Sequence, residues 1–418
     1  MAGPAIRAVE LAGRLARSHD VLLVCPGATA VPEGDRARGG RPFAVAEHSA
    51  GESLLHHLTG ADAFVTQGFG FARQDLLRLP ARLRLVLDLY DPVQLELLAR
   101  VHEEETAEAR LHLAFVRRRL LALVARADHV LCASERQRAL WLGWLGAAGR
   151  LTPRALRADP EARSLLALVP FGIPTGPPCE TPGALPVAEG DAAVLWWGGL
   201  WDWMDPLTAI RAVARLRATG VRAALVLPAG NRPLAAPMAA SVSAEAEARA
   251  LGLWGSGVVR LPAWVPYGER GGLLRAAAVA VSCHRPSLEA ALAFRTRLLD
   301  CVWSGLPVVA TEGDELSERA AREGWARTVP TGDSDALAAA LREVLDPERN
   351  ARARAAASAS AGPYSWDAAV APLCALLERN PPERAPAWAG PPELHGVDPS
   401  DLAQTVGRKL VARLRRLF

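Results

Sequence analysis

Short apolar segments alternate with amphipathic helical segments along this chain of 418 residues, and no other feature limits the fold more. A strand that is followed repeatedly by a helix indicates a parallel sheet covered by helices on both faces. We predict helices at 6–17, 93–126 and 366–379. The predicted strands are residues 21–25, 63–66, 85–89, 130–133, 194–197, 223–227, 258–261, 279–283, 308–311 and 327–329.

A segment rich in proline and glycine, residues 169–186, divides the alternating pattern into two halves and indicates an interdomain linker. The helix after the first strand of the second half begins with Asp205 as its N-cap and Pro206 in its first turn. We therefore predict an α/β fold with two doubly wound, Rossmann-like domains that face a cleft. The predicted units are an N-terminal domain (1–170), a C-terminal domain (187–362), a helix returning to the first domain (363–380), and a proline-rich spacer with a basic amphipathic helix (381–418).

The chain opens on a glycine–proline turn and a helix, whereas a Rossmann-type domain normally opens on a strand. We therefore expect the first strand of the N-terminal domain to be missing. A start codon placed too late in the gene is one explanation.

The composition narrows the class of protein. A net charge of +3 is too close to neutral to indicate a nucleic-acid partner. Six scattered cysteines without a CxxC pair indicate reduced thiols in a cytoplasmic protein. The sequence contains no signal peptide and no apolar run long enough to span a bilayer. No metal site is predicted, because the histidines lack partners at ligand spacing.

Several ionisable residues fall between His284 and Asp314, in a segment that we predict to be mostly helical and packed against the sheet. Buried charges are costly unless they are paired. These groups therefore either pair with one another or await a charged ligand.

Particular motifs resemble those of the GT-B glycosyltransferases, in a bacterial branch of the family-4-type retaining enzymes. They are "GPAIRAVELAGRLA", "LDLYDPVQLE", "WWGGLWDWMDPLTAI", "WVPYGER" and "FRTRLLD" followed by "GLPVV". The resemblance implies that the second domain binds a nucleotide-sugar, that the first binds the acceptor, and that the late helix crosses back. It implies retaining transfer by front-face attack, with no cofactor and no required metal.

The sequence departs from that family in its charged positions. The common enzymes have seven residues between two acidic residues, whereas here ten residues separate Glu289 from Asp300. The usual Arg/Lys pair after the first strand of the second domain is absent, and Arg295 and Arg297 stand where the usual pattern is neutral. Both arginines would flank the amino end of a helix that starts near Thr296, but only one could serve if the helix ran unbroken from Glu289.

The resemblance implies a set of site residues. The expected catalytic residues are Glu289, His284 and Asp91, and the expected donor-binding residues are Gly198, Gly199, Trp201, Trp264, Arg295, Arg297 and Asp300.

Simpler interpretations of these residues remain open. Asp300 could pair with Arg297 instead of binding a ribose hydroxyl, Glu289 could be a solvated helix end, and His284 could be a structural histidine. Asp91 could orient an acceptor hydroxyl together with Asp88, or it could only cap a helix.

The leading functional hypothesis is transfer of a sugar from a nucleotide-sugar donor to a saccharide or lipid-linked acceptor, in surface polysaccharide or glycolipid assembly. The alternatives are a nucleotide-sugar 2-epimerase of GT-B fold and a non-catalytic sugar-nucleotide-binding partner. An NAD-dependent dehydrogenase fits poorly, because the first domain has no GxGxxG after a strand. The basic helix at 401–418 could lie on the inner face of the cell membrane or dock on the protein itself.

Overall fold

The computed structural model describes residues 3–26, 31, 36, 42–49, 52–68, 73–100, 106–178, 183–229, 238–263 and 265–379. The strands are β1 Leu22–Cys25, β2 Ala44–Glu47, β3 Ala63–Thr66, β4 Arg84–Asp88, β5 His129–Cys132, β6 Leu166–Leu168, β7 Ala192–Trp196, β8 Ala223–Leu227, β9 Val258–Arg260, β10 Val279–Ser282, β11 Val308–Thr311 and β12 Ala326–Val329. The helices are α1 Gly3–Leu15, α2 Arg73–Arg78, α3 Val93–Arg100, α4 Ala107–Arg126, α5 Glu135–Ala147, α6 Pro153–Ala158, α7 Pro206–Ala218, α8 Ala239–Ala250, α9 Arg270–Ala276, α10 Leu288–Leu292, α11 Arg297–Ser304, α12 Glu315–Arg322, α13 Ser334–Leu345, α14 Pro347–Ser360 and α15 Trp366–Glu378.

The second half of the chain forms a parallel sheet with the strand order β12-β11-β10-β7-β8-β9. Its central strands are buried, as expected for a sheet that helices cover on both faces. The Asp205 carboxylate accepts a hydrogen bond from the backbone N–H of Thr208 at 3.1 Å, so the predicted cap of α7 is confirmed. The predicted α/β class with parallel sheets is confirmed.

The sheet of the first half is in two pieces. Strands β3-β4-β5-β6 form one parallel sheet, whereas β1 pairs with β2 in a separate parallel pair. That the first strand of this domain is missing stays a prediction.

Two sequence-based assignments need correction. The sequence did not predict β2 or β6, which are three or four residues long. The segment 93–126, which was predicted to be one helix, contains the separate helices α3 and α4.

The two domains are connected twice. The chain passes from the first domain to the second through the predicted linker and returns just before α15, and the two passages touch where Ile173 bridges to Ser365. The N–H of Ile173 donates to the carbonyl of Tyr364 at 2.8 Å, and the N–H of Trp366 donates to the carbonyl of Ile173 at 3.0 Å.

Helix α15 packs against the first domain. The Arg84 guanidinium donates to the carbonyls of Leu376 and Leu377 near the end of this helix. Arg14 of α1 forms an ion pair with Asp367 at 3.2 Å. Among the helices in the described ranges, none combines the length and the apolar composition that a membrane span requires.

Candidate active site

Several of the predicted site residues lie at the carboxyl edge of the second sheet. Strand β10 lies between β7 and β11, so the loops that follow these three strands are neighbours. Gly198 and Gly199 follow β7, His284 follows β10, and Asp314 follows β11. Ligands of open parallel sheets bind at this edge, and the site therefore lies where the fold favours one.

The segment from His284 to Asp300 is not one helix, so the alternative in which a helix starts near Thr296 is confirmed and the unbroken helix is wrong. The N-cap of α10 is Ser287, whose hydroxyl accepts from the N–H of Ala290 at 3.0 Å, and α10 ends because Ala293 is extended. Helix α11 then begins at Arg297. Arg295 and Arg297 therefore flank the amino end of α11, where the helix dipole favours an anion.

Arg295 is buried, with only 4 % of its surface exposed. Its Nη1 donates to the carbonyl of Thr311 at 2.6 Å, and its Nε lies 2.8 Å from a carboxylate oxygen of Asp314, although the N–H is not aligned for a hydrogen bond. Burial lowers the pKa of Arg295, and Asp314 opposes this effect. Arg295 therefore has a structural anion partner that the sequence did not reveal, and its Nε and Nη2 lack a hydrogen-bond partner among the described residues.

Arg297 differs because no carboxylate of the described residues forms an ion pair with it. Its Nη2 lies 3.4 Å from the carbonyl oxygen of Gly199 and 3.1 Å from the sulfur of Met204, and its buried Nη1 has no hydrogen-bond partner in the described part of the chain. Burial and the nearby Arg295 lower the pKa of Arg297 to about 10, so the guanidinium is still charged near neutral pH. A half-buried cation in these surroundings suits an anionic ligand.

The backbone beneath Arg297 requires glycine. Gly198 has a φ of 89°, which residues with a side chain rarely adopt. A Cβ atom at this position would lie 3.6 Å from the Cζ atom of Arg297. The conformation therefore brings the loop after β7 close to the guanidinium.

Glu289 and His284 are buried in the same region, at 5 % and 3 % exposure. Glu289 Oε2 and His284 Nδ1 have no hydrogen-bond partner among the described residues. Burial, with a contribution from the charge of Asp91, raises the pKa of Glu289 to about 7. Burial and the two arginines hold the pKa of His284 well below its ordinary value, so its imidazole is neutral.

Asp300 does not pair with Arg297. One of its carboxylate oxygens accepts from Nε of Arg270, and the other accepts from the indole N–H of Trp197, both at 2.9 Å. The Arg270 guanidinium lies between two rings, 3.6 Å from the centroid of Tyr267 and 4.3 Å from that of Trp303. The sequence analysis missed Arg270, although it lies in the quoted motif "WVPYGER".

The remaining predicted residues have different surroundings. Trp201 stacks on the largely buried Trp203, with ring centroids 5.5 Å apart and nearly parallel planes. Trp264 lies outside the described residues. In the first domain, Asp91 follows β4 and is close enough to Glu289 to influence its charge.

Asp88 is not placed as the sequence suggested. Its two carboxylate oxygens each accept a hydrogen bond from Arg7 at 2.7 Å, and both side chains are buried. The Arg7 guanidinium also stacks on Tyr90 and Phe171. Asp88 therefore has a structural role in the first domain.

One family model matches part of the chain. Residues 191–347 match a family model described as "Glycosyl transferases group 1". No protein of curated function has significant sequence similarity to the chain.

The solved structures that are similar have low sequence identity but cover nearly the whole chain. Sucrose-phosphate synthase from Thermosynechococcus elongatus is 18 % identical with a TM-score of 0.63, over 90 % of this chain and 93 % of that one. HepE from Anabaena, in complex with UDP and glucose, is 15 % identical with a TM-score of 0.62, over 90 % and 96 %. WaaG, a glycosyltransferase involved in lipopolysaccharide biosynthesis, is 16 % identical with a TM-score of 0.56, over 90 % and 95 %.

The similar structures confirm the predicted fold, which is GT-B. The match to the glycosyltransferase model bears out the predicted enzyme class, EC 2.4, and the matched residues 191–347 include Glu289, Arg295 and Arg297.

Proposed function

We propose that the protein transfers a sugar, with retention of configuration, from a nucleoside diphosphate sugar to a saccharide or lipid-linked acceptor. The observation that carries this proposal is Arg297, a charged, half-buried guanidinium beside the amino end of α11, which no described carboxylate neutralises and whose Nη1 is buried without a described partner. A diphosphate is a suitable partner, because a guanidinium binds phosphate oxygens through two parallel hydrogen bonds.

The roles of the other residues follow from their charge states. In the transfer, the acceptor oxygen bonds to the anomeric carbon while the bond from that carbon to the diphosphate breaks, and the departing phosphate takes the acceptor proton. Arg297, with Nη2 of Arg295, offsets the negative charge that develops on the diphosphate. Glu289, whose pKa is about 7, contacts the sugar, and the neutral His284 supplies a hydrogen bond beside it.

Two acidic residues complete the proposed substrate contacts. Asp300 is held by Arg270 and Trp197, which leaves lone pairs on its oxygens for a ribose hydroxyl. Asp91 of the first domain orients the acceptor hydroxyl.

Calorimetry with UDP tests the donor site. Loss of a buried charge-assisted contact typically costs about 2–5 kcal/mol, so Arg297→Ala should weaken UDP binding at least 30-fold by an order-of-magnitude estimate. Arg211→Ala is the matched control, because Arg211 pairs with Glu247 on the surface of the same domain at 2.7 Å. Unchanged affinity in both Arg295→Ala and Arg297→Ala would contradict the donor site.

If the protein binds another nucleotide in place of UDP, the binding of that nucleotide to the same variants is compared.

The anomeric configuration of the product, measured by NMR, tests retention. Conversion of the donor without any acceptor would indicate a 2-epimerase instead, and binding without turnover across a set of acceptors would indicate a non-catalytic partner.

We expect transfer to need no metal ion, because guanidinium groups supply the charge that offsets the diphosphate. Protein treated with EDTA should keep its rate in metal-free buffer. A rate that falls at least tenfold and returns with Mg²⁺ would contradict this expectation.

The acceptor is proposed to belong to surface polysaccharide or glycolipid assembly, on the cytoplasmic side of the membrane. Residues 401–418 lie outside the described residues, but their sequence places Leu402, Val406, Leu410 and Leu414 at helical spacing among basic residues. The full chain should sediment with anionic liposomes at low salt, and a chain ending at Pro392 should not. Equal sedimentation of the two proteins would exclude the tail as a membrane contact.

A further inference from the structure

The first turn of α5, in the first domain, touches the second domain through two side chains. The Arg136 guanidinium donates to the carbonyl of Gly313 and, through Nη2, to the carboxylate of Glu318 at 2.7 Å. The backbone N–H of Arg136 donates to the carboxylate of Glu315 at 3.0 Å. A side chain of the second domain therefore satisfies a backbone donor at the amino end of a helix of the first domain.

Gln137 makes the second contact, and it is fully buried. Its amide oxygen accepts from the N–H of Ala133 in the first domain at 2.8 Å, while its Nε2 donates to the carbonyl of Leu292 in the second domain at 3.0 Å. The amide thus joins the backbones of the two domains. We call Arg136, Gln137 and the groups they contact the interdomain clamp.

Each group held by the clamp is next to a donor-site residue. Leu292 is the last residue of α10, the short helix that carries Glu289, and Arg295 follows three positions later. Gly313 and Glu315 flank Asp314, whose carboxylate pairs with the buried Arg295. The clamp therefore contacts both chain segments that build the site.

We propose that Arg136 and Gln137 are positioning residues, which fix α10 and the segment around Asp314 in the geometry of the donor site when the two domains are closed. This inference rests on the sugar transfer proposed above. The Arg136–Glu318 pair is partly solvated, with 37 % exposure on both sides, so it can open and close more readily than a buried ion pair. The site would then be completed only in the closed protein.

A double-mutant cycle on the transfer reaction tests the clamp. Arg136→Ala should lower kcat/KM roughly tenfold, a coupling typical between distant sites, and Glu318→Gln should lower it by a smaller factor. Glu318→Gln should have no further effect in the Arg136→Ala background, because the contact is already lost. Arg211→Ala, which breaks an exposed ion pair within the second domain, is the control and should stay within twofold of the wild type.

Amide hydrogen exchange supplies a readout that does not need activity. Arg136→Ala should speed exchange in residues 288–295 and 313–318, whereas the control variant should not. Unchanged exchange in these segments, or effects on kcat/KM that simply multiply in the double variant, would overturn the proposal. If the wild type binds no nucleotide and transfers no sugar, the proposed function fails, and the exchange result alone still decides whether the clamp holds these segments.

Discussion

The wild-type protein should become less stable as the pH rises, because the buried Glu289 then ionises. Replacing Glu289 with glutamine should remove this pH dependence. The carboxyl is 5 % exposed, and burial together with Asp91 raises its pKa from 4.5 to about 7. Between these two values the unfolded chain has released the proton while the folded protein still holds it. The contribution of Glu289 is therefore fully present below about pH 4.5, falls as the pH rises, and is lost above about pH 7.

The size of the effect follows from the two pKa values. Each pKa unit corresponds to about 1.4 kcal/mol, so the whole difference amounts to about 3 kcal/mol. Glutamine has a similar shape and cannot ionise. We therefore expect Glu289→Gln to be more stable than the wild type by up to about 3 kcal/mol at pH 8, and by less than about 1 kcal/mol at pH 5.

Urea unfolding of both proteins at pH 5, 6, 7 and 8, followed by tryptophan fluorescence, measures this difference. Glu348→Gln is the control, because the Glu348 side chain is 87 % exposed. The reasoning is refuted if the difference between Glu289→Gln and the wild type is the same at every pH. It is also refuted if the exposed control reproduces the pH dependence.

Two further predictions follow from the two chain passages between the domains and from the two-piece sheet of the first domain. Gly172→Ala should lower the stability by about 2 kcal/mol, because the new Cβ would lie 2.6 Å from the backbone of Trp366. Gly176→Ala meets no described atom within 4 Å, so equal melting temperatures for the two variants would contradict this. Amide hydrogens of β1 and β3 should exchange faster than those of β4, because in the described part of the chain β1 has only β2 and β3 only β4 as a neighbouring strand. Equally slow exchange in the three strands would show that these edges are covered.

The sequence predicted the strands of the second domain well, because most of them are short, largely apolar runs. Strands 223–227 and 308–311 were predicted with the observed limits. Strand β2 was missed because it is only four residues long and both of its ends are exposed, so it lacks the apolar pattern of a buried strand. Local pattern thus identifies strands that contain a run of buried apolar residues and misses a strand such as β2, which lacks one.

The sequence predicted the charged residues of the site, but it did not predict their ion-pair partners. Arg295 pairs with Asp314, and Asp300 pairs with Arg270, although the sequence analysis had considered Arg297 as the partner of Asp300. These pairs depend on the order of strands in the sheet and on the break between α10 and α11. No local sequence pattern contains that information. The sequence therefore predicted a charged site but not which charged side chain lacks an ion-pair partner among the described residues.

The bridge between Ile173 and Ser365 limits how the cleft can open. Two chain passages that are hydrogen-bonded side by side act as a single pivot, so the second domain can rotate about that point but cannot slide past the first. Such a joint permits rotation but little translation of one domain against the other. Entry of a substrate, release of α5 from the second domain and separation of Asp91 from Glu289 would then be parts of one rotation.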